Sequence, residues 1–335
     1  MWLVFRKINW RLKKLNEPLL ELINLKKYFT IGGRGLLHAV DDVSIEIPEG
    51  ETFGLVGESG CGKSTVGLTL VRLLDPTSGE VNYRGKNIFS LQGKESKKIR
   101  KKMQIVFQDP YSSLNPTKVI KSILSEPYII HGVRGRKIIE KKITKLLEMI
   151  GIAKNILTKY PHELDGGKRQ TIGIARALAL EPDFIVCDEP VSALDVSIQA
   201  QILNLLIDLQ KKLNLTYLFI SHDLSVIKHI SQRVAVMYLG KLVEIAETDE
   251  LFNNPLHPYT KALLSAIPSV DIGAKRERII LKGDVPSPIN PKPICRFLGR
   301  CWNASKDCQE IEPSLELKSP NHWVSCIRVP SKIKN

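Results

Sequence analysis

At 335 residues with a formal net charge of +14 and 43% hydrophobic residues, the chain can bury a full core and is basic enough to sit beside an anionic surface. No apolar run reaches the ~18–20 residues of a bilayer span, and the start, MWLVFRKINWRLKK, puts apolar residues before its charges, the wrong order for a secretory signal. Nucleic acid is the competing explanation of the charge, but no recognition-helix or aromatic-rich RNA motif accompanies it.

Residues 1–19 read as a basic amphipathic extension, suited either to lie on anionic lipid or to be a frayed, solvated terminus. From Leu20 to about Phe89 short strands alternate, with a turn at Pro48-Glu49-Gly50. Thr52–Val56 reads as a buried strand and Ser64–Leu74 as a helix. Between them GESGCGKST (Gly57, Glu58, Ser59, Gly60, Cys61, Gly62, Lys63, Ser64, Thr65) fits the phosphate-loop pattern G-x-x-x-x-G-K-[ST]. Its glycines let backbone N–H groups curl around phosphate oxygens, aided by the positive end of the following helix. Lys63 would neutralise β/γ-phosphate charge, and the Ser64 hydroxyl would join a Mg²⁺ shell. A Gly-rich strand-to-helix turn without a ligand is the bland alternative, and the strand–loop–helix context weighs against it.

Residues from about 91 to 165 are polar, Lys-rich and helical in period, with Ile143, Leu146, Leu147 and Ile150 on one face. The basic clusters Lys94–Lys102 and Arg134–Lys145 fit solvated helix faces. From 166 to 250 an α/β pattern resumes, with strands at 184–188 and 216–220 flanking a helix at 198–213, then strands at 233–238 and 241–246. The apolar strand Phe184–Asp188 ends in a carboxylate that can hold Mg²⁺ through water, and Glu189 follows in position to polarise an attacking water. An ordinary strand-end acidic pair is the alternative, and the phosphate loop upstream argues against it. The expected fold is an α/β P-loop NTPase: a RecA-like parallel sheet with an antiparallel β edge, an inserted α-helical subdomain and a Cys-containing C-terminal extension.

The phosphate loop together with Leu164–Asp195 (LDGGKRQTIGIARALALEPDFIVCDEPVSALD) resembles the nucleotide-binding subunit of an ABC transporter. The resemblance implies that Gln108, in Val106-Phe107-Gln108-Asp109-Pro110, is the glutamine that senses Mg²⁺ and water and faces the membrane subunit. It implies that His222 contacts the γ-phosphate, that Ser192–Asp195 runs along a dimer interface, and that Phe29, ahead of Tyr28, stacks on adenine. In such proteins two subunits pair head to tail, each ATP lying between one P-loop and the partner's LSGGQ signature. Here Asp165 replaces the signature serine before Gly166 and Gly167, Lys168 replaces the glutamine, and Thr171 the next arginine. A carboxylate beside a triphosphate costs several kcal/mol in a partly dry interface, so a heterodimer with one weakened site is expected. The alternative is that Asp165 caps its helix and Lys168 balances it without loss.

Past residue 250 the composition changes. Pro-rich Gly283–Pro291 leads to Cys295, Cys301, Cys308 and Cys326. This tail, residues 251–335, resembles the C-terminal extension of the oligopeptide/dipeptide permease subfamily, and the run Phe107–Pro116 points to its second, F-type ATPase. Four thiolates can ligate a [4Fe–4S] cluster or zinc, or stay free structural thiols; the resemblance favours iron–sulfur. The resemblance thus implies an ATP hydrolase coupled to transport, a translocase, with ATP and Mg²⁺, peripheral at the cytoplasmic face of the membrane. Its implied partners are a second ATPase, two permease subunits and an extracytoplasmic solute-binding protein. The solute is peptide by family default, with oligosaccharide and nickel importers as relatives. A degenerate, ATP-binding subunit and a nucleic-acid-linked ATPase are the alternatives; the latter would carry a long coiled-coil insertion where only about 75 residues stand here.

Overall fold

A computed structural model describes residues 18–267 and 278–332. The basic extension expected over 1–19 therefore lies outside the described residues up to residue 17. The elements, in order, are β1 (Leu20–Ile31), β2 (Gly35–Ile47), β3 (Thr52–Val56), α1 (Lys63–Leu70), β4 (Ser78–Tyr83) and β5 (Lys86–Asn87). Then come α2 (Gly93–Lys102), β6 (Met103–Val106), α3 (Pro110–Ser113), α4 (Ile120–Ile130), α5 (Arg136–Met149) and α6 (Gly166–Leu178). The rest comprises β7 (Phe184–Asp188), α7 (Val196–Leu213), β8 (Thr216–Ser221), α8 (Leu224–Ile230), β9 (Arg233–Tyr238), β10 (Lys241–Glu247), α9 (Thr248–Asn253), α10 (Pro258–Ser265), β11 (Glu316–Ser319) and β12 (His322–Val324).

An eight-stranded sheet runs in the order β11-β12-β10-β9-β3-β8-β7-β6, and a four-stranded antiparallel sheet in the order β2-β1-β4-β5. In the large sheet β6, β7, β8, β3 and β9 are parallel, while β10, β12 and β11 continue antiparallel. Parallel strands covered on both faces read as unbroken apolar runs rather than alternation, which is why β3, β7 and β8 are buried at every residue. Alternate side chains divide between two cores. Phe53, Val186 and Ile220 join α1 and the antiparallel sheet, whereas Ile185, Tyr217 and Phe219 face α6, α7 and α8.

Two expectations need correction. The helical stretch placed at 91–165 contains a strand, because Met103-Gln104-Ile105-Val106 is a short apolar run that finds an open parallel edge on β7. The helix after the phosphate loop ends at Leu70 rather than Leu74, as Arg72 takes a left-handed φ of 57°.

The tail, which carried no strand expectation, adds β12 and β11 beyond β10. It is seated through buried Glu244, whose carboxylate meets His322 Nε2 at 2.7 Å and accepts from the Leu256 and His257 backbone N–H groups. His257 caps α10, its Nδ1 accepting from the Tyr259 N–H at 3.1 Å, which requires a neutral ring. Complete burial pushes the His257 pKa down to about 4, against a smaller upward pull from Glu244. Because the unfolded ring titrates near 6.5, the unfolded chain binds the extra proton, so this stability is present above about pH 6.5 and lost as pH falls toward 4. Thermal melts should show a loss on the order of 3 kcal/mol across that window, and His257→Asn, which keeps a capping acceptor without the titration, should flatten it.

Candidate functional site

The strand order decides where the chemistry-bearing residues meet. β6, β7, β8 and β3 are neighbours and parallel, so their carboxyl ends open on one edge, where ligands of open α/β sheets bind. β3 delivers the loop from Gly57 to Thr65, β7 delivers Asp188 and Glu189, β8 delivers His222, and β6 delivers Gln108. A cleft of about 480 Å³ runs along this edge. It is lined by Ser59–Thr65 with Gln108, Glu189 and His222, and by Phe29, Leu37, His38 and Pro288 from the β1–β2 ribbon and the tail.

The loop is built around Lys63. Its ammonium, 4% exposed, donates to the carbonyls of Gly57 at 2.8 Å and Glu58 at 3.0 Å. Close approach excludes side chains at two positions. A Cβ on Gly57 would lie 2.1 Å from the Met237 carbonyl, and one on Gly62 would lie 2.0 Å from the Ala39 carbonyl, with left-handed φ values of 155° and 108°.

Asp188 and Ser64, expected to share a cation, lie in direct contact. The Ser64 hydroxyl donates to Asp188 Oδ1 at 2.9 Å. Burial raises the Asp188 pKa, the Ser64 hydrogen bond opposes this, and the neighbouring Glu189 charge raises it further. A desolvated carboxylate beside a hydroxyl suits a hard divalent cation, so the residues fit Mg²⁺. Glu189 follows with φ 43°, a sparsely populated conformation for a residue other than glycine, held by its N–H donating to the Ile220 carbonyl at 3.0 Å. One carboxylate oxygen of Glu189 accepts from Gln108 Nε2 at 3.0 Å and meets His222 Nδ1 at 3.0 Å. Gln108, Glu189 and His222 are therefore brought together, and the carboxylate is aimed by a group on either side.

Of the two aromatic candidates for the base, Phe29 lines the cleft. Tyr28 is engaged elsewhere, stacked on His38 at 3.9 Å with its hydroxyl on Asp41. Asp165, Gly166 and Gly167 lie away from the cleft at the start of α6. Asp165 caps that helix, accepting from the Lys168 N–H at 2.8 Å and the Lys168 ammonium at 2.6 Å. These Lys168 contacts hold the Asp165 pKa below the usual carboxylate range, so the side chain stays ionised at the surface.

Tail residues with no local sequence signal also reach the site. Tyr259 of α10 accepts from the Glu58 N–H of the phosphate loop at 2.9 Å, and Arg300 pairs with the Glu58 carboxylate at 2.8 Å. The tail cysteines, all free, sit close enough for their charges to interact. Burial pushes the Cys295 thiol up to about 11 and raises those of Cys301 and Cys326, against an opposing pull from backbone hydrogen bonds, with the neighbouring cysteines adding a smaller upward push. Yet among the described residues no group of three or more His, Cys, Asp or Glu side chains is placed to hold a metal ion, so the expected iron–sulfur or zinc ligand sphere is not formed in this arrangement.

A family described as ABC transporter matches residues 40–192, and one described as oligopeptide/dipeptide transporter, C-terminal region, matches residues 243–308. The chain is 51% identical over 319 residues to the oligopeptide transport ATP-binding protein AppF of Bacillus subtilis strain 168, covering 92% of this chain and 97% of AppF. It is 49% identical over 322 residues to the dipeptide transport ATP-binding protein DppF of Haemophilus influenzae Rd, covering 94% and 98%. Among solved structures it resembles the ATP-binding cassette MJ0796, captured as a dimer after hydrolysis with ADP and Pi, at a TM-score of 0.61 and 28% identity over 68% of this chain and 98% of that one.

Replacing Glu189 by Gln keeps the Gln108 and His222 contacts in reach but removes the basic carboxylate. Steady-state turnover of ATP should fall by about 100-fold or more, with ATP affinity retained.

Proposed function

The chain belongs to the ABC transporters, as an ATP-binding subunit of the oligopeptide/dipeptide kind, and we propose that the cleft at the carboxyl edge of its parallel sheet binds and hydrolyses ATP to drive peptide import. The observation that carries this is the convergence of the Gly57–Thr65 loop, Asp188, Glu189, Gln108 and His222 on one cleft, which Phe29 also lines. Lys63 and the loop N–H groups take the β- and γ-phosphates. Ser64 and Asp188, with Gln108, would hold Mg²⁺, whose charge would answer that developing on the phosphate oxygens. Glu189, aimed by Gln108 and His222, orients the attacking water and draws its proton. Phe29 receives the adenine face.

Among the described residues no helix is long and apolar enough to cross a membrane. In the import reading, permease subunits supply the pathway, and the chain works beside them at the cytoplasmic face, with a solute-binding protein delivering peptide outside. The helical insert carrying exposed Tyr111, Ile129, Ile130 and Ile138 is the surface offered to the permeases. ATP binding would close a head-to-tail pair of ATPase subunits and hydrolysis would reopen it.

A heterodimer is favoured because Asp165 keeps its charge and a side chain 58% exposed at the signature position. The Lys168 pairing answers part of that charge, but an exposed pair is worth little. Measuring ATP hydrolysis by the purified chain alone against Asp165→Ser/Lys168→Gln separates the readings. A rise of about tenfold or more in the double variant is expected, and equal rates would make a homodimer with a tolerated signature the better account.

An iron–sulfur centre on Cys295, Cys301, Cys308 and Cys326 is a separate proposal, supported by the sequence spacing of the four cysteines and by the subfamily resemblance of the tail. No transport step depends on it. Anaerobically purified protein should contain iron and acid-labile sulfide that Cys295→Ser removes; metal-free wild type would leave them as structural thiols.

A further inference from the structure

The end of the β1–β2 ribbon is held by the tail. β4 covers β1 only as far as Lys26, so from Phe29 through Gly35 the base end of the cleft stands on two strands. A two-stranded ribbon is marginally stable by itself. Tail residues more than 240 positions away supply what a third strand would. The Asn290 N–H donates to the Leu36 carbonyl at 2.9 Å, Asn290 Oδ1 accepts from the Leu36 N–H at 2.9 Å, and the His38 N–H donates to the Pro288 carbonyl at 3.0 Å. Leu37 and Ile289 form an antiparallel bridge between these contacts. The fit is close: a Cβ on Gly35 would stand 2.0 Å from the Asn290 amide nitrogen.

A second anchor lies deeper. Arg296, with a side chain 7% exposed, donates to the Leu239 carbonyl and pairs with Asp41. Burial opposes the Asp41 charge, but the Tyr28 hydroxyl and Arg296 together hold its carboxyl below the usual range. Asp41 thereby ties Tyr28 and His38, and so the strand pair on either side of Phe29, to the tail.

Pro288 lines the cleft itself, beside Phe29 and Leu37 and remote in sequence from the phosphate loop. We infer that the tail segment Pro288–Arg296 is a wall of the nucleotide site: Pro288 contacts the base, and Asn290 and Arg296 are positioning residues that set the Phe29 ribbon for a flat aromatic ring. This rests on reading the cleft as the ATP site. The wall is apolar and faces the base end, so it adds to affinity through the base and leaves the phosphate contacts untouched.

The test is binding of MgATP and of magnesium tripolyphosphate, which has phosphates and no base, to the full chain by isothermal titration. Asn290→Ala should weaken MgATP roughly tenfold and leave tripolyphosphate nearly unchanged, while Asn290→Asp, which keeps the acceptor for the Leu36 N–H, should stay close to wild type. Pro288→Ala, which removes the ring and keeps the carbonyl that His38 uses, should show the same split. Unchanged MgATP affinity in both alanine variants would overturn the inference, as would equal weakening of the two ligands. Failure of the wild type to bind MgATP would instead overturn the reading of the cleft on which it rests.

Discussion

The ammonium group of Lys63 is buried and is satisfied by the carbonyls of Gly57 and Glu58, with no carboxylate bonded to it among the described residues. Burying an ammonium group is costly unless dipoles or an anion answer its charge, and here backbone dipoles do part of that work. The remaining design follows from keeping that cation in place and facing an anion. Gly57 and Gly62 admit the backbone so closely to Met237 and Ala39 that no side chain fits. The loop sits at the middle of a parallel sheet whose neighbouring strands end in the same plane, so the groups needed for phosphate chemistry arrive on separate strands at one edge.

The loop is also held from behind. Glu58 is fixed through its backbone by Tyr259 and through its carboxylate by Arg300, both from beyond residue 250. Seating those residues requires the Glu244, His257 and His322 contacts, with Glu244 and His322 having no exposed side-chain surface. A buried polar cluster of this kind gains its value from its hydrogen bonds, and removing a partner from one member costs that member's desolvation. The tail is therefore part of the structure of the cassette as well as an appendage to it. Its β12 and β11 extend the same sheet on which the phosphate loop is hung.

What the sequence carried depends on whether a contact is local or long-range. Gly57–Ser64, Asp188 and Glu189 were legible because phosphate binding by a strand-loop-helix turn, and a carboxylate at the end of an apolar strand, are written in adjacent residues. The fold class followed from the same punctuation. β6 is not legible locally, because Met103–Val106 is four residues between a Lys-rich helix and a loop, too short to carry a period and made a strand by its neighbour β7. Tyr259, Pro288, Asn290 and Arg300 carried no local signal at all. They act through contacts across 200 residues or more, and only the folded chain brings them to the cleft. The cysteines show the reverse limit: their spacing suggested a ligand set, yet burial and proximity alone do not arrange the thiols around an ion.

The account stands on a polyphosphate meeting the Lys63 ammonium in its loop. Titration calorimetry of MgATP into the full chain and into Lys63→Ala tests it most directly. One site per chain in the wild type, with affinity reduced by about 100-fold or more in the variant, is the predicted result, since a charge-assisted phosphate contact in a sheltered site is among the strong ones. Equal affinity in the two proteins would contradict it, and would mean that nucleotide binds somewhere other than the cleft at the head of the sheet.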